Sequence, residues 1–283
     1  MEWSELTEDR PDQSPEAVRY VLADRISTGD AADQPKEEEV CVVVEVPMTI
    51  DVEGVETYTL LCTPTDRRAL AVGFLLTEGI VEQMGDFEAL KKCDDDPNII
   101  RVRLADRIPR IGDAGRNLMI VSSCGACGSE NLKERIDALP SVDDTLRIKA
   151  KLLRSVHGAL RKRQSLFEAS GGTHAAAVYD EAGKILSYAE DTGRHNALDK
   201  AIGKCLLADI RTSGRGAALT SRLSLEMVGK CARAGIELIT AVSAPTSMAI
   251  DVASKCNITL CAFVRETRAT VFTHSARVIC TGG

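Results

Sequence analysis

Apolar positions along this chain switch between a period near two and a period near 3.6, and the switches mark its elements. Residues 1–13 read as a loose polar terminus. Residues 15–26 fit a helix or a strand equally. Residues 30–39 are acidic and carry Pro35, so they read as an exposed loop. A β-branched run follows at 40–46. Residues 48–52 and 58–62 alternate around Glu53-Gly54, a hairpin signal. At 65–77 the period becomes helical: Asp66 and Arg67 open it, Leu70, Phe74 and Thr77 share a face, and Gly79 stops it. Residues 99–104 read as a strand. Leu118-Met119-Ile120-Val121 reads as a short buried strand, and 129–139 as a helix closed by Pro140.

Residues 149–164 form a basic amphipathic pattern, with Leu152, Leu153, Val156 and Leu160 on one side. Its charges, Lys151, Arg154, Arg161, Lys162 and Arg163, read as a solvated face or as a docking surface for an acidic partner. From His174 the pattern is strongly α/β. Strands at 175–179 and 185–188 bracket Asp180-Glu181-Ala182-Gly183, a second hairpin. A helix at 196–207 follows. Then come a strand at 217–220, a helix at 224–234, a strand at 236–242, a helix at 246–256 and a strand at 259–263. Short β-α-β-α-β connections imply parallel strands and right-handed crossovers. The expected organisation is an N-terminal extension over 1–39, partly disordered, a β-rich part over 40–148 and an α/β part over 149–283.

Composition agrees with layered α/β structure. The chain has 283 residues, 44% of them apolar but only 4% aromatic, so its core is mainly aliphatic. A formal charge of −7 argues against broad nucleic-acid binding, while leaving room for a local basic pocket. No apolar run approaches the roughly 20 residues of a membrane span. The polar, acidic start does not read as a signal peptide, and most of the ten cysteines are isolated. The expected setting is the reducing cytoplasm, with free thiols.

The candidate chemistry begins at Ser122-Ser123-Cys124-Gly125-Ala126-Cys127-Gly128. The expected helix after it places Cys127 at or just before a helix N-terminus, where free N–H groups and the helix dipole favour a thiolate. Structural zinc would need about four ligands, yet there is no second Cys-x-x-Cys, and His157, His174, His195 and His274 are scattered. Beside structural zinc, weakened by the missing second pair, the residues alone leave a dithiol redox pair and a nucleophilic cysteine carrying a sulfur or acyl group, with two ordinary buried cysteines as the plain alternative. No metal site is expected.

In an open parallel sheet, ligands bind beyond the carboxyl ends of the strands. Here those ends carry Ser221, Arg222 and Ser224, then Ser243, Pro245, Thr246 and Ser247, then Arg265 and Arg268. Small hydroxyl residues and arginines suit phosphate or pyrophosphate. N-capping explains Ser224, Ser243 and Thr246 in part, but not the arginines. Two polar loops accompany them: Gly171-Gly172-Thr173-His174, and Glu190-Asp191-Thr192-Gly193-Arg194-His195-Asn196. The second reads either as a capping assembly or as a device that orients a heteroaromatic ligand. His195 is accordingly both a structural and a site candidate.

These motifs, with Phe74-Leu75-Leu76-Thr77-Glu78-Gly79-Ile80, Ala197-Leu198-Asp199-Lys200 and Ala241-Val242-Ser243-Ala244-Pro245-Thr246-Ser247, resemble the FdhD family over nearly the whole chain. The resemblance implies a sulfur carrier needed for formate dehydrogenase activity, a sulfurtransferase acting through a cysteine persulfide. The family accepts sulfur from a cysteine desulfurase and passes it to the bis(molybdopterin guanine dinucleotide) molybdenum cofactor before insertion into the dehydrogenase. The persulfide cysteine falls on Cys124 and its companion on Cys127, whose role stays open. The cofactor-binding segment falls on Phe263, Val264, Arg265, Glu266, Thr267 and Arg268. Ser221, Arg222, Ser243, Thr173 and His195 are expected to join it around the guanine nucleotides. The implied fold is three-layer α/β/α, cytidine deaminase-like, with a smaller N-terminal β-rich subdomain, in a homodimer. Two positions depart from the family pattern: Ser221 stands where glycine is expected, and Glu266-Thr267 where small residues are. The rival readings are a non-catalytic cofactor chaperone and a zinc deaminase-like enzyme. Zinc deaminases use His-x-Glu with Pro-Cys-x-x-Cys, whereas here no histidine stands two residues before Glu78 and Ser123 replaces the proline.

Overall fold

The computed structural model describes residues 17–28, 34–105 and 129–280. β1 (Val18–Arg25) and β2 (Lys36–Val43) form an antiparallel ribbon, in register from Val18↔Val43 to Arg25↔Lys36. The ambiguous stretch at 15–26 is therefore largely strand. Lys36, Glu37, Glu38 and Glu39, expected in a loop, belong to β2, because cross-strand pairing overrides the weak β preference of an acidic run. β2 runs through residue 39, where the sequence divides the extension from the β-rich part. The run at 40–46 is split: β2 ends at Val43, Val44 N–H donates to Ala17 O, and β3 (Val46–Val52) begins anew.

β3 and β4 (Glu56–Cys62) make the expected hairpin, with Gly54 at φ 70° in its turn. α1 (Arg67–Thr77) follows, and Gly79 at φ 75° ends it. β5 (Phe87–Lys92) was not legible in the pattern. Its register shifts between Phe87 and Ala89, so the buried Phe87 and Leu90 stand three apart and break the alternation. With β6 (Ile99–Leu104) it completes a sheet of order β4-β3-β6-β5, in which β3 and β6 run parallel. The strand expected at 118–121 lies outside the described residues.

The rest of the chain forms α2 (Ser129–Asp137), β7 (Ile148–Lys149), α3 (Ala150–Arg161), α4 (Ser165–Ser170), β8 (His174–Tyr179) and β9 (Ile185–Asp191). It continues through α5 (Arg194–Leu207), β10 (Gly216–Leu219), α6 (Leu225–Arg233), β11 (Leu238–Ala241) and α7 (Ser247–Lys255). It ends with β12 (Thr259–Ala262), β13 (Thr270–Val271) and β14 (Val278–Ile279), the last paired with β7. The main sheet has the order β13-β12-β11-β10-β8-β9, and β10, β11 and β12 are parallel, as the repeating pattern predicts.

Side chains on this sheet alternate between two cores. Ala175, Ala177, Tyr179, Ala218 and Leu238 pack against Leu153, Val156 and Leu160 of α3. Ala176, Val178, Ala217, Leu219 and Ile239 face α5, α6 and α7 through Leu198, Ile202, Val228 and Val252. Helices thus cover both faces, giving the expected α/β/α layers. α1 lies on α5 at backbone contact: a Cβ on Gly73 would stand 1.8 Å from Asp199 O, and one on Gly203 1.9 Å from Ala69 O. Through α1 the four-stranded sheet shares the larger core. Among the described residues no helix is long and apolar enough to cross a membrane.

Candidate functional site

The carboxyl ends of β10, β11 and β12 meet at one edge of the main sheet. β8 runs antiparallel to β10 and β9 antiparallel to β8, so the start of β8 and the end of β9 arrive there too. Backbone hydrogen bonds tie the segments together. Leu223 N–H donates to Ala244 O, Thr246 N–H to Leu223 O, and Phe263 N–H to Ser243 O. The structure thereby brings together the expected Ser221, Arg222, Ser243 and residues 263–268. Ser221 is buried and its hydroxyl donates to Arg222 O at 3.1 Å, while the Arg222 side chain is exposed. Phe263 takes φ 53° and is left half in solvent, whereas Val264 is buried. Arg265 N–H donates to Arg268 O at 2.8 Å, closing a turn that presents Glu266, Thr267 and Arg268 outward. The Arg265 guanidinium also donates to Val242 O and Val264 O.

The 190–196 loop is anchored by buried acids. Glu190 accepts from the N–H groups of Leu166 and Phe167 at the start of α4, and from the Thr173 hydroxyl at 2.8 Å. Thr173 is thus tied to the scaffold at this edge. Asp191 is fully buried. It lies 2.6 Å from Lys200 Nζ and accepts from Thr63 N–H, Gly193 N–H and Asn196 Nδ2. Asn196 is turned inward onto Asp191 as expected, but neither Asp191 nor Thr192 caps the helix: the N-cap of α5 is Gly193, which has no side-chain cap hydrogen bond, and Asp191 braces the loop instead.

What the loop presents is cationic. Burial, with Arg194, Lys230 and His174 adding, pushes His195 down to about 4 against the pull of Glu226. Its Nε2 is buried without a hydrogen-bond partner among the described residues. His174 is lowered too, first by burial and then by Arg194 and Arg222. Glu226 is held below the ordinary carboxylate range: burial opposes this, but nearby Ser224, its own backbone N–H and Arg194 outweigh it. Arg194 and Arg222 both act on His174, and Arg194 acts on His195 as well, so the strand ends carry a positive field that suits an anion. On the α3 side of the same edge lies a cavity of about 560 Å³ between α3, α4, the start of β8 and the ends of β10 and β11. Its lining includes His157, Arg161 and Gln164 from the helix read as a solvated basic face.

A second buried cluster joins motifs far apart in sequence. Lys230 Nζ donates to Thr77 Oγ1 at 2.9 Å, Glu78 Oε1 at 2.8 Å and Asp199 Oδ2 at 2.8 Å, and the Thr77 hydroxyl donates to Asp199 Oδ1 at 2.7 Å. Burial, aided by Glu78, lifts Asp199 to about 6 against Lys230 and Thr77. Burial works against the charge on Lys230, but the two carboxylates outweigh it and raise its pKa. Glu78 is thus engaged in an ion cluster. Nothing in the sequence marked Lys230, whose neighbours Gly229, Cys231 and Ala232 in α6 are all buried.

Cys124 and Cys127 lie outside the described residues. α2 begins at Ser129, immediately after their motif. Its far end is held on α7 by Lys255, which donates to Ile136 O at 3.0 Å and to Asp137. The described cysteines are free thiols, and burial raises Cys62, Cys205, Cys231, Cys256 and Cys261. Among the described residues no group of three or more His, Cys, Asp or Glu side chains is arranged to hold a metal.

Comparison with known proteins places this architecture. Residues 43–279 match the FdhD/NarQ family. A sulfur carrier protein FdhD from Bordetella parapertussis is 40% identical over 84% of this chain and 87% of its own. One from Saccharolobus solfataricus is 38% identical over 84% of this chain and 90% of its own. A crystal structure from Desulfotalea psychrophila, named for a formate dehydrogenase accessory function, has the same fold. It superposes with a TM-score of 0.75 over 93% of this chain and 100% of that one, at 24% identity. With its motifs gathered at one sheet edge and in two buried ion clusters, and with relatives matching it over most of their length, this chain belongs to the FdhD/NarQ family.

Proposed function

We propose that this protein is a sulfur carrier that serves formate dehydrogenase maturation through a persulfide on Cys124. The Cys124 thiolate attacks the outer sulfur of a persulfide on a cysteine desulfurase. A new S–S bond forms, the donor thiolate leaves, and Cys124-S-SH results with no net oxidation. The recipient is the bis(molybdopterin guanine dinucleotide) cofactor, bound as substrate through its nucleotides at the strand-end edge. There Arg222, Arg265 and Arg268 offer charge-assisted contacts to phosphate. If Cys127 thiolate attacks the inner sulfur of the persulfide, hydrosulfide is released for the metal and a Cys124–Cys127 disulfide remains. That route is balanced without an outside reductant in the transfer step. In the other route Cys127 is a secondary acceptor.

The observation that carries this reading is the strand-end edge itself, where backbone hydrogen bonds gather Ser221, Arg222, Ser243 and the 263–268 turn, with Arg194 and Arg222 both acting on His174. The names of the relatives and the start of α2 beside the Cys-x-x-Cys support it. The raised thiols of the buried cysteines make poor competitors for a nucleophile's role. The reading implies a cytoplasmic homodimer.

Incubation with a desulfurase and cysteine, followed by mass spectrometry, is expected to place a ~32 Da adduct on Cys124 that Cys124→Ala lacks. An unmodified Cys124, or a Cys124→Ala protein that fully matures formate dehydrogenase, refutes the relay and leaves a cofactor chaperone. In the same assay, a wild-type level of transfer by Cys127→Ala excludes obligatory disulfide release.

A further inference from the structure

The outer face of α3 carries residues that its own helix disfavours. From residue 145 to 167 the chain has no aspartate or glutamate, although its total charge is −7. Lys149 stands at the N-cap of α3 without a side-chain cap bond, Lys151 follows in the first turn, and no acid stands there. Cations at that end oppose the helix dipole, which favours acids. Gly158 is exposed in mid-helix, and a Cβ there would meet nothing within 4 Å. Glycine is less stable than alanine in a helix interior, and no packing within the chain requires it here. Departures from local preference that gather on one face mark a functional surface.

The same face is arranged to receive carboxylates. Leu153, Val156 and Leu160 are buried against the sheet, which leaves Lys151, Arg154, Ser155, Gly158, Arg161 and Lys162 exposed as one stripe about 16 Å long. Among the described residues the cations of this stripe have one acidic partner, Glu266, 3.8 Å from Arg154 in a pair exposed on both sides. Two arginines are held by rings instead. The Arg161 guanidinium lies 5.0 Å from the centre of Phe167 and that of Arg163 5.8 Å from the centre of Tyr188. Arg163 also donates to Ala159 O at 2.9 Å. A guanidinium stacked on a ring keeps donors at its edge and loses little freedom on meeting a carboxylate. At the middle of the stripe, Ser155 and Gly158 let a second helix approach to about 8 Å between axes.

We propose that the outer face of α3 is a docking surface for an acidic helix of the recipient dehydrogenase. The proposal rests on the proposed function, in which one protein gives sulfur and another takes up the cofactor. α2, which starts directly after the Cys-x-x-Cys, packs through Leu132 and Ile136 on the core that holds α5, α6 and α7, whereas α3 packs on the other core. The two helices therefore cover opposite faces of the main sheet, and a donor seated beside α2 leaves α3 open to a second partner. A long polyanion such as nucleic acid would also meet the acidic remainder of the chain, while a short acidic helix meets this stripe alone.

Biolayer interferometry between the full chain and apo-formate dehydrogenase tests this. Lys151→Glu, Arg154→Glu and Lys162→Glu, made together, should weaken binding about tenfold or more at low salt and flatten its salt dependence. Gly158→Leu keeps every charge and should weaken binding as well, by holding the partner helix away. Both variants should stay folded by circular dichroism and still gain the desulfurase-dependent ~32 Da adduct on Cys124. A wild-type chain that does not bind the apo-enzyme, or wild-type affinity in either variant, overturns the docking face and leaves the proposed function standing. A triple variant that sediments at half the wild-type mass overturns it too, since the face would then join two copies. So does tight binding of duplex DNA by wild type that the triple variant loses. A wild-type chain that gains no adduct on Cys124 refutes the relay instead, while its binding to the apo-enzyme still reports on α3.

Discussion

Replacing Asp191 by asparagine probes the scaffold on which the strand-end loop hangs. The Asp191 and Lys200 side chains are both 0% exposed and 2.6 Å apart. Asparagine matches aspartate in volume, so the change opens no cavity. It removes the carboxylate that, alone among the described residues, pairs with Lys200, which keeps Thr63 O at 2.9 Å and Thr65 Oγ1 at 3.3 Å. It also turns an NH₂ toward groups that themselves donate, Thr63 N–H, Gly193 N–H and Asn196 Nδ2. Removing one partner of a buried ion pair costs about 3–5 kcal/mol. A buried donor left unmet adds about 1–3 kcal/mol. Against a typical stability of about 5–15 kcal/mol, Asp191→Asn should fold marginally, with a loss of about 3–5 kcal/mol in urea titrations. Adding Lys200→Met should recover part of that loss, giving a coupling well above the about 0.5 kcal/mol of independent sites. Hydrogen exchange at the Gly193 and Thr63 amides should quicken in the single variant. A loss below about 1 kcal/mol, or strictly additive effects in the double variant, would refute the reasoning.

Two further outcomes follow from the packing and the second ion cluster. Gly203→Ala should destabilise by about 1–3 kcal/mol, because the new methyl meets Ala69 O at 1.9 Å. Gly158→Ala in α3, with nothing within 4 Å, should instead stabilise by about 0.5–1 kcal/mol, and equal effects in chemical denaturation would contradict the close contact of α1 and α5. Asp199, raised to about 6 by burial and by Glu78, favours the folded state most when protonated. That contribution is complete below its unfolded value of about 3.9 and lost as pH rises through about 6. Wild type should therefore lose stability relative to Asp199→Asn between about pH 4 and pH 6, and a pH-independent difference in urea midpoints over that window would contradict it.

Much of this fold is legible in one dimension. The hairpin of β8 and β9 and the β10-α6-β11-α7-β12 succession follow from short apolar strands, helical periods and brief connections. Their parallel pairing follows from the crossovers. β5 escaped because its bulge breaks the two-residue period, and the ribbon of β1 and β2 because pairing, not propensity, makes an acidic run a strand. The strand-end residues Ser221, Arg222, Ser243 and Arg265 were found because connectivity alone places the ends of parallel strands together.

The sequence by itself determined the β3–β4 hairpin, the succession from β8 to β12 and the edge at which ligands are expected, since periodicity records which face of each element is buried. Tertiary structure alone decided which charges meet inside. Lys230 joins Thr77, Glu78 and Asp199 from three helical segments, and Lys200 meets Asp191 and Thr63 across 137 residues of sequence separation in the latter case. A local pattern cannot name a distant counter-ion, because burial makes an isolated charge costly and only the packed fold supplies its partner. For the same reason Gln164 read as the end of a solvated basic helix, until the packing of α3 and α4 against the sheet buried it beside a cavity.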